Sequence, residues 1–247
     1  MAEIPSESPQ QVQVEEPRPD FFNMSFDMVT VKLDSGLEVP IYTDLLTYHS
    51  RYFKNMFRGG FLEASSRKTS LAHTSDNTFR AFLNWMQTGV VIQEKDQEAD
   101  DAAQYRGNLV ALGILADTID CRRLRNDVVT AAVLSYAKHS KNPCASFLKK
   151  AIDNLPESSG LLLFLLHRAA VKRSFCSSNK NDVSYEKLPP KYLIRLWKIA
   201  KLRLDWITND PMAALPWAEN LCQYHEHETD DEKAACRNPL PLEHRKR

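Results

Sequence analysis

Little in this chain is in excess. Cysteine occurs five times, few and odd in number, which argues against a disulfide framework and for a reducing compartment. Neither charge dominates: 32 lysines and arginines stand against 32 aspartates and glutamates, so nothing pulls the molecule globally toward nucleic acid or an anionic membrane. The longest apolar run, GLLLFLL from Gly160 to Leu166, falls far short of the roughly 20 residues a spanning helix needs. The opening stretch MAEIPSESPQQVQVEEPRP lacks the basic start and apolar core of a secretory signal. Catalytic signatures are missing too: there is no G-x-S-x-G, no P-loop and no G-x-G-x-x-G. We therefore expect a soluble intracellular protein, cytoplasmic or nuclear, that is not an enzyme and takes neither nucleic acid nor membrane as partner.

What is present is enough for a sizeable core. The chain has 247 residues, 43% of them hydrophobic, so it holds one large domain or two small ones. Residues 1–20, rich in Pro, Glu, Gln and Ser, cannot offset their ordering entropy by burial and read as a disordered arm. FDMVTVKLDSGLEVPIY reads as a hairpin. Val29, Val31 and Leu33 alternate with polar residues, Asp34-Ser35-Gly36 forms the turn, and Leu37, Val39 and Ile41 return. Pro40 has no N–H, which places the return strand at a sheet edge or at a bulge.

Helices follow. Thr43 caps DLLTYHS, and Ser50 caps RYFKNMFR, with Tyr52, Phe53, Met56 and Phe57 on one side and Gly59-Gly60 as a left-handed stop. Lys68 to Leu71 reads as a short strand. Ser75 or Asp76 opens a helix through Gln87, stopped by Gly89, and Val90-Val91-Ile92 reads as another short strand. QEKDQEADDAA, residues 93–103, reads as a charged loop before helices at 104–118 and 121–139. Pro143 opens a short helix, 161–171 is an enclosed apolar helix, 172–182 is a loop, and Pro189-Pro190 starts a long helix. Along that last helix Leu193, Leu196, Trp197, Ala200 and Leu204 form the core stripe, while Lys191, Arg195, Lys198, Lys201 and Arg203 read as a solvated basic face. The terminal His-Arg-Lys-Arg is a weak nuclear signal.

The ordered set of local patterns is specific. Phe26-Asp27-Met28-Val29-Thr30-Val31 opens a strand. Asp44-Leu45-Leu46, Ser50-Arg51-Tyr52-Phe53 and Met56-Phe57 form a helical pair, and Gly60-Phe61-Leu62-Glu63-Ala64 follows. Phe79-x-x-Phe82-Leu83-x-Trp85-Met86-x-Thr88-Gly89, Leu115-Ala116-Asp117 and Leu124-Arg125-Asn126 complete the series. This series resembles the BTB/POZ domain over residues 26–140. The resemblance implies an α+β fold, a small mainly antiparallel sheet flanked by helices, followed by an all-α extension at 141–225 and a polar tail at 226–247. That second half resembles the helical extension of many fungal BTB proteins, including Pro216-Trp217-Ala218-Glu219-Asn220. One departure is that Tyr42-Thr43 stands where the family usually has His-Lys, so Asp27 keeps its place without its usual partner. A Tyr42 hydroxyl is the alternative donor to that carboxylate.

Function is then expected to be protein–protein interaction. The resemblance implies a homodimer built on the first strand and first helices. Asp27, Tyr42, Met56 and Phe57 are therefore candidate partner residues, with Phe21, Phe22 and Met24 ahead of the strand. Phe61-x-Glu63 resembles the element that BTB adaptors present to a cullin scaffold; the alternative is a core Phe61 beside a solvated Glu63. The adaptor reading, a substrate adaptor of a ubiquitin ligase with an unknown protein client, stands against a scaffold or transcription-linked dimerisation module. The last candidate comes from the residues themselves. Cys222-x2-His225-x-His227-x8-Cys236 supplies four ligands of the types zinc prefers, with Cys222 and His225 on one helical face and Cys236 returning from an acidic loop. The alternatives are a polar tail with solvated histidines, or a metal-dependent hydrolase built on His225 and His227, for which the chain lacks a barrel's worth of strands.

Overall fold

A computed structural model describes residues 17–20, 22–91, 99–139, 142–171, 185–209 and 215–236. Most of the arm at 1–20, as well as Phe21, the loop at 172–182 and the terminal basic residues, lie outside the described residues. Strand β1 (Met28–Leu33) pairs antiparallel with β2 (Glu38–Tyr42) and parallel with β3 (Lys68–Leu71), in the order β2-β1-β3. Val29, Val31 and Leu33 are buried, as their alternation requires. Thr30 stands opposite Pro40 and sends its N–H to Arg67 O at 2.9 Å on the β3 side. The Thr30–Pro40 pair is thus a non-hydrogen-bonded one, and the proline's missing donor falls on the open edge. Leu37, expected in the return strand, is exposed and lies just before it, although its carbonyl accepts from Leu33 N at 2.9 Å.

Helix α1 (Thr43–His49) starts from Tyr42, not from a Thr43 cap. The Thr43 hydroxyl donates instead to Asp27 O at 3.0 Å, tying the helix to the entry of β1. Ser50 does cap α2 (Arg51–Arg58): its oxygen accepts from Phe53 N at 3.2 Å while its hydroxyl donates to Ile119 O at 2.5 Å. Gly59 ends α2 in an extended conformation, φ −84° and ψ 177°, not the left-handed one expected. The glycine is needed for room, since a Cβ there would lie 2.6 Å from Asn55 O and 2.9 Å from the Phe61 ring. After α3 (Leu62–Ser66), α4 (Asp76–Thr88) begins at the Ser75 cap and stops at Gly89, φ 71°. Its apolar stripe is buried, and Trp85 Nε1 donates to Asp127 Oδ2 at 2.8 Å. Val90 and Val91 form no strand; Ile92 is outside the described residues.

Helix α5 (Ala99–Thr118) starts earlier than expected, inside the charged stretch, where alanines and acidic residues favour a helix start over a loop. It packs with α6 (Arg122–His139) and α7 (Ala145–Asn154), and α8 (Gly160–Val171) packs on both of these. Helices α9 (Pro190–Asn209), α10 (Pro216–Glu219) and α11 (Asp230–Ala235) follow, with 3-10 turns at Tyr185–Lys187 and Leu221–Tyr224. An aromatic cluster joins the second half. Phe164 sits 5.8 Å from the Tyr136 ring, 5.6 Å from Trp217 and 5.8 Å from Tyr224. Arg168, buried among them, lies over Trp217 and donates to Tyr136 O at 3.0 Å. Burial lowers its pKa to about 10, so it stays charged, which these contacts make tolerable.

Two details fix how the chain closes. A Cβ on Gly160 would lie 1.8 Å from Tyr224 O, so only glycine lets the C-terminal segment lie against the start of α8. His167 Nδ1 is 2.7 Å from the Tyr224 hydroxyl. On α9, Leu196 is buried and Leu193 and Ala200 half-buried, as expected, but Trp197 and Leu204 face solvent. Of the basic residues, Lys191, Lys198 and Lys201 are exposed as expected, Lys191 pairing with Glu157 at 2.8 Å on the surface, but Arg203 is buried. Among the described residues, no helix is long and apolar enough to cross a membrane.

Candidate partner surface and Cys/His cluster

The turn at Gly59-Gly60 and the short α3 push Phe61, Leu62 and Glu63 out beside the sheet. Phe61 is 60% exposed and Leu62 86% exposed, so neither packs in the core, and Glu63 is half-buried next to them. Between α2, α3 and the outward face of β1 and β3 runs a cavity of about 490 Å³, lined by Thr30, Lys32, Tyr52, Met56, Leu62 and Glu63 among others. An apolar anchor and a carboxylate thus stand at the rim of a concave surface, the arrangement that protein interfaces use for hot spots. Met56 belongs to this groove. Phe57 does not: it is buried and stacks on Phe53 with ring centroids 6.1 Å apart. Helix α2 therefore turns Phe53 and Phe57 inward and leaves Tyr52 outside, not all four residues on one face.

A second apolar patch lies where β1 begins. Phe22, Phe26 and Met28 are exposed, and Phe26 meets Tyr42 edge-on at 6.1 Å. The Asp27 carboxylate finds Arg67, with Oδ2 3.5 Å from Nη2, as its ionic partner, and not the Tyr42 hydroxyl. Arg67 reaches it from a left-handed conformation, φ 54°, at the end of α3. Residue spacing gave no sign of this pair, because the two side chains come from elements forty residues apart.

The Cys/His cluster is built by two small elements. Asn220 caps the 3-10 turn by accepting from Cys222 N at 3.0 Å, which fixes Cys222 and leaves His225 as the turn's C-cap. Thr229 caps α11, and Cys236 ends it, so the stretch read as an acidic loop is a short helix. Cys222, His227 and Cys236 each place a ligand atom within 4.8 Å of the other two. His225 lies outside that mutual set, though its Nδ1 is 3.2 Å from Cys236 Sγ. Its other nitrogen, Nε2, sits 3.0 Å from Thr130 Oγ1 on α6. His227 Nε2 is buried with no hydrogen-bond partner. Burial and the Cys222 thiol beside it push the Cys236 thiol up to about 11.

Three arginines hold this segment in place. Arg125 Nε and Nη2 grip Glu226 at 2.7 Å each, Arg122 meets Glu232, and Arg51 pairs with Glu228. The Arg122 contact and the Glu228 N–H together hold the Glu232 carboxyl down at about 2. Asn126 completes the clamp, donating to Glu226 O and accepting from Glu226 N, both at 2.9 Å. The carboxylates flanking His225 and His227 are therefore paired with arginines and do not converge on the histidines as a hydrolase base would. Residue spacing shows none of these pairs, and from residue 226 the sequence reads as a polar tail; the one signal it holds is Leu124-Arg125-Asn126, which reads as a helix pattern.

A family model for the BTB/POZ domain matches residues 22–107, from the turn before β1 into the first half of α5. No curated protein matches the chain.

Proposed function

We propose that this chain, whose residues 22–107 form a BTB/POZ domain, is a dimerising adaptor that recruits a protein client to a cullin-based ubiquitin ligase. A BTB/POZ domain is a protein–protein interaction module, and the finer reading rests on one observation: Phe61 and Leu62 are solvent-facing, and Leu62 and Glu63 line the groove along β1 and β3. Burying a Phe or Leu side chain on a partner contributes about 1.5–3 kcal/mol, enough to make two such residues the anchors of a micromolar complex. The exposed Phe22, Phe26 and Met28 support pairing with a second copy, and the helical extension is left to select the client.

The test is direct binding of the full chain to a cullin N-terminal domain. Association is expected at micromolar concentration, weakened roughly 10–100-fold by Phe61→Ala. No association at that concentration ends the ligase reading. Light scattering at high protein concentration should report a dimer, and a monomer would remove the pairing. A dimer without cullin binding leaves the scaffold or transcription-linked alternative, and a pull-down with and without residues 141–247 shows which half chooses the client.

A further inference from the structure

We propose that the C-terminal segment is closed by a structural zinc ion held by Cys222, His227 and Cys236, with His225 Nδ1 as the fourth ligand. Among the described residues this is the one group of three or more Cys, His, Asp or Glu side chains that brings its donor atoms together in this way. The chemistry of the donors is thiolate and imidazole, the set of closed zinc sites, with bonds of about 2.3 Å to sulfur and 2.0–2.1 Å to nitrogen. Those bond lengths imply ligand–ligand edges of about 3.5–3.8 Å in a tetrahedron. A mutual separation within 4.8 Å is therefore about an ångström from the bound geometry.

His225 shows the orientation expected of a ligand. Its Nε2 lies 3.0 Å from Thr130 Oγ1 and its Nδ1 3.2 Å from Cys236 Sγ, so the tautomer that donates to Thr130 turns the Nδ1 lone pair toward the cluster. An outer hydrogen bond of this kind is how proteins fix the tautomer of a metal-bound histidine. His227 Nε2, buried without a partner, is the polar atom this segment otherwise leaves unsatisfied. Binding exchanges two thiol protons for one Zn2+: both sulfurs become thiolates, two protons leave to solvent, and the resulting Zn(Cys)2(His)2 unit is neutral, as a half-buried site prefers.

The site fastens α11 and the 3-10 turn to each other and, through His225 and Thr130, to α6. It is independent of the partner reading, since none of its ligands lies on the groove or on β1.

Zinc content of the full chain, purified without added metal, should be one per chain, and titration with a mercurial reagent should release it in step with two thiols. Cobalt loading should give thiolate charge-transfer bands and the intense ligand-field bands of a four-coordinate site. Cys236→Ser and His225→Asn should each weaken zinc affinity by about tenfold or more. A metal-free chain that takes up no cobalt overturns the proposal, as does a Cys222–Cys236 disulfide in reductant-treated, metal-depleted protein after re-equilibration with zinc. Unchanged affinity in His225→Asn overturns the four-ligand closure. The stoichiometry and cobalt spectra need no variant, so a misfolded substitution does not spoil the test.

Discussion

Asn126→Ala should release the C-terminal segment while leaving the core helices folded. The Asn126 amide pairs with both the N–H and the C=O of Glu226 at 2.9 Å, like one rung of a β-ladder supplied by a side chain. Alanine removes both bonds, each worth about 0.5–1.5 kcal/mol net. Because these groups are only part-buried, water takes up some of the loss, and the expected cost is about 2 kcal/mol, or roughly a 30-fold rise in local opening. The cost should be local, since α6 keeps Leu124 and Val128 in the core. Hydrogen exchange over residues 222–236, measured in chelator so that no metal contributes, reads that opening directly. Asn126→Asp sharpens the test: it retains an acceptor for the Glu226 N–H, loses the donor to the carbonyl, and adds a like charge beside Glu226, so it should open the segment at least as far. Exchange within twofold of wild type in both variants would refute the clamp.

Gly160→Ala forces a Cβ to within 1.8 Å of Tyr224 O, a backbone atom that cannot rotate away. It should cost about 3 kcal/mol or more and lower Tm by roughly 6–12 °C in a thermal melt. Gly113→Ala meets the Leu161 Cδ2 methyl at 2.4 Å, a side-chain end that can move, so its melt should shift less; the reverse order would contradict this account of the two glycines. His167 has its pKa lowered from 6.5 to about 4, first by burial and then by the Arg195 charge. The unfolded chain therefore binds the extra proton between those values, and stability falls as pH drops through that window. Discounted for solvent screening, the loss is about 1–2 kcal/mol. His167→Gln, which retains a hydrogen-bonding group for Tyr224, should show a shallower fall in Tm between pH 7 and 4.5 than wild type, and an equal slope would assign the acid sensitivity elsewhere.

Much of the fold could be read from local pattern because its causes are local. Alternation in β1, the Ser75 cap and the Gly89 stop each depend on neighbours a few residues away, and each stands where expected. Pro40 was legible for the same reason: a missing donor limits its strand to a sheet edge or a bulge, and β2 is the edge strand. Errors came where tertiary contacts decided. Thr43 looked like a cap, but its hydroxyl is engaged by Asp27 O. Trp197 and Leu204 looked like core, yet each is more than half exposed. At the cluster, residue type and spacing named the four side chains, and the structure brings three of them into one mutual set with His225 beside Cys236. What spacing could not show was Glu226, Glu228 and Glu232 as partners of Arg125, Arg51 and Arg122, because those pairs span a hundred residues or more.

That separation gives the molecule a chronology. Asn126 and Arg125 are synthesised about one hundred residues before the Glu226 they hold. At 5–20 residues per second, the gap is roughly 5–20 s, long compared with helix formation. Through that interval α6 is complete, while Arg51, Arg122 and Arg125 still lack their C-terminal acids. A nascent chain therefore holds Arg51 and Arg122 without these acids and Arg125 with Asp120 alone, and a stop codon anywhere before residue 226 would leave them so.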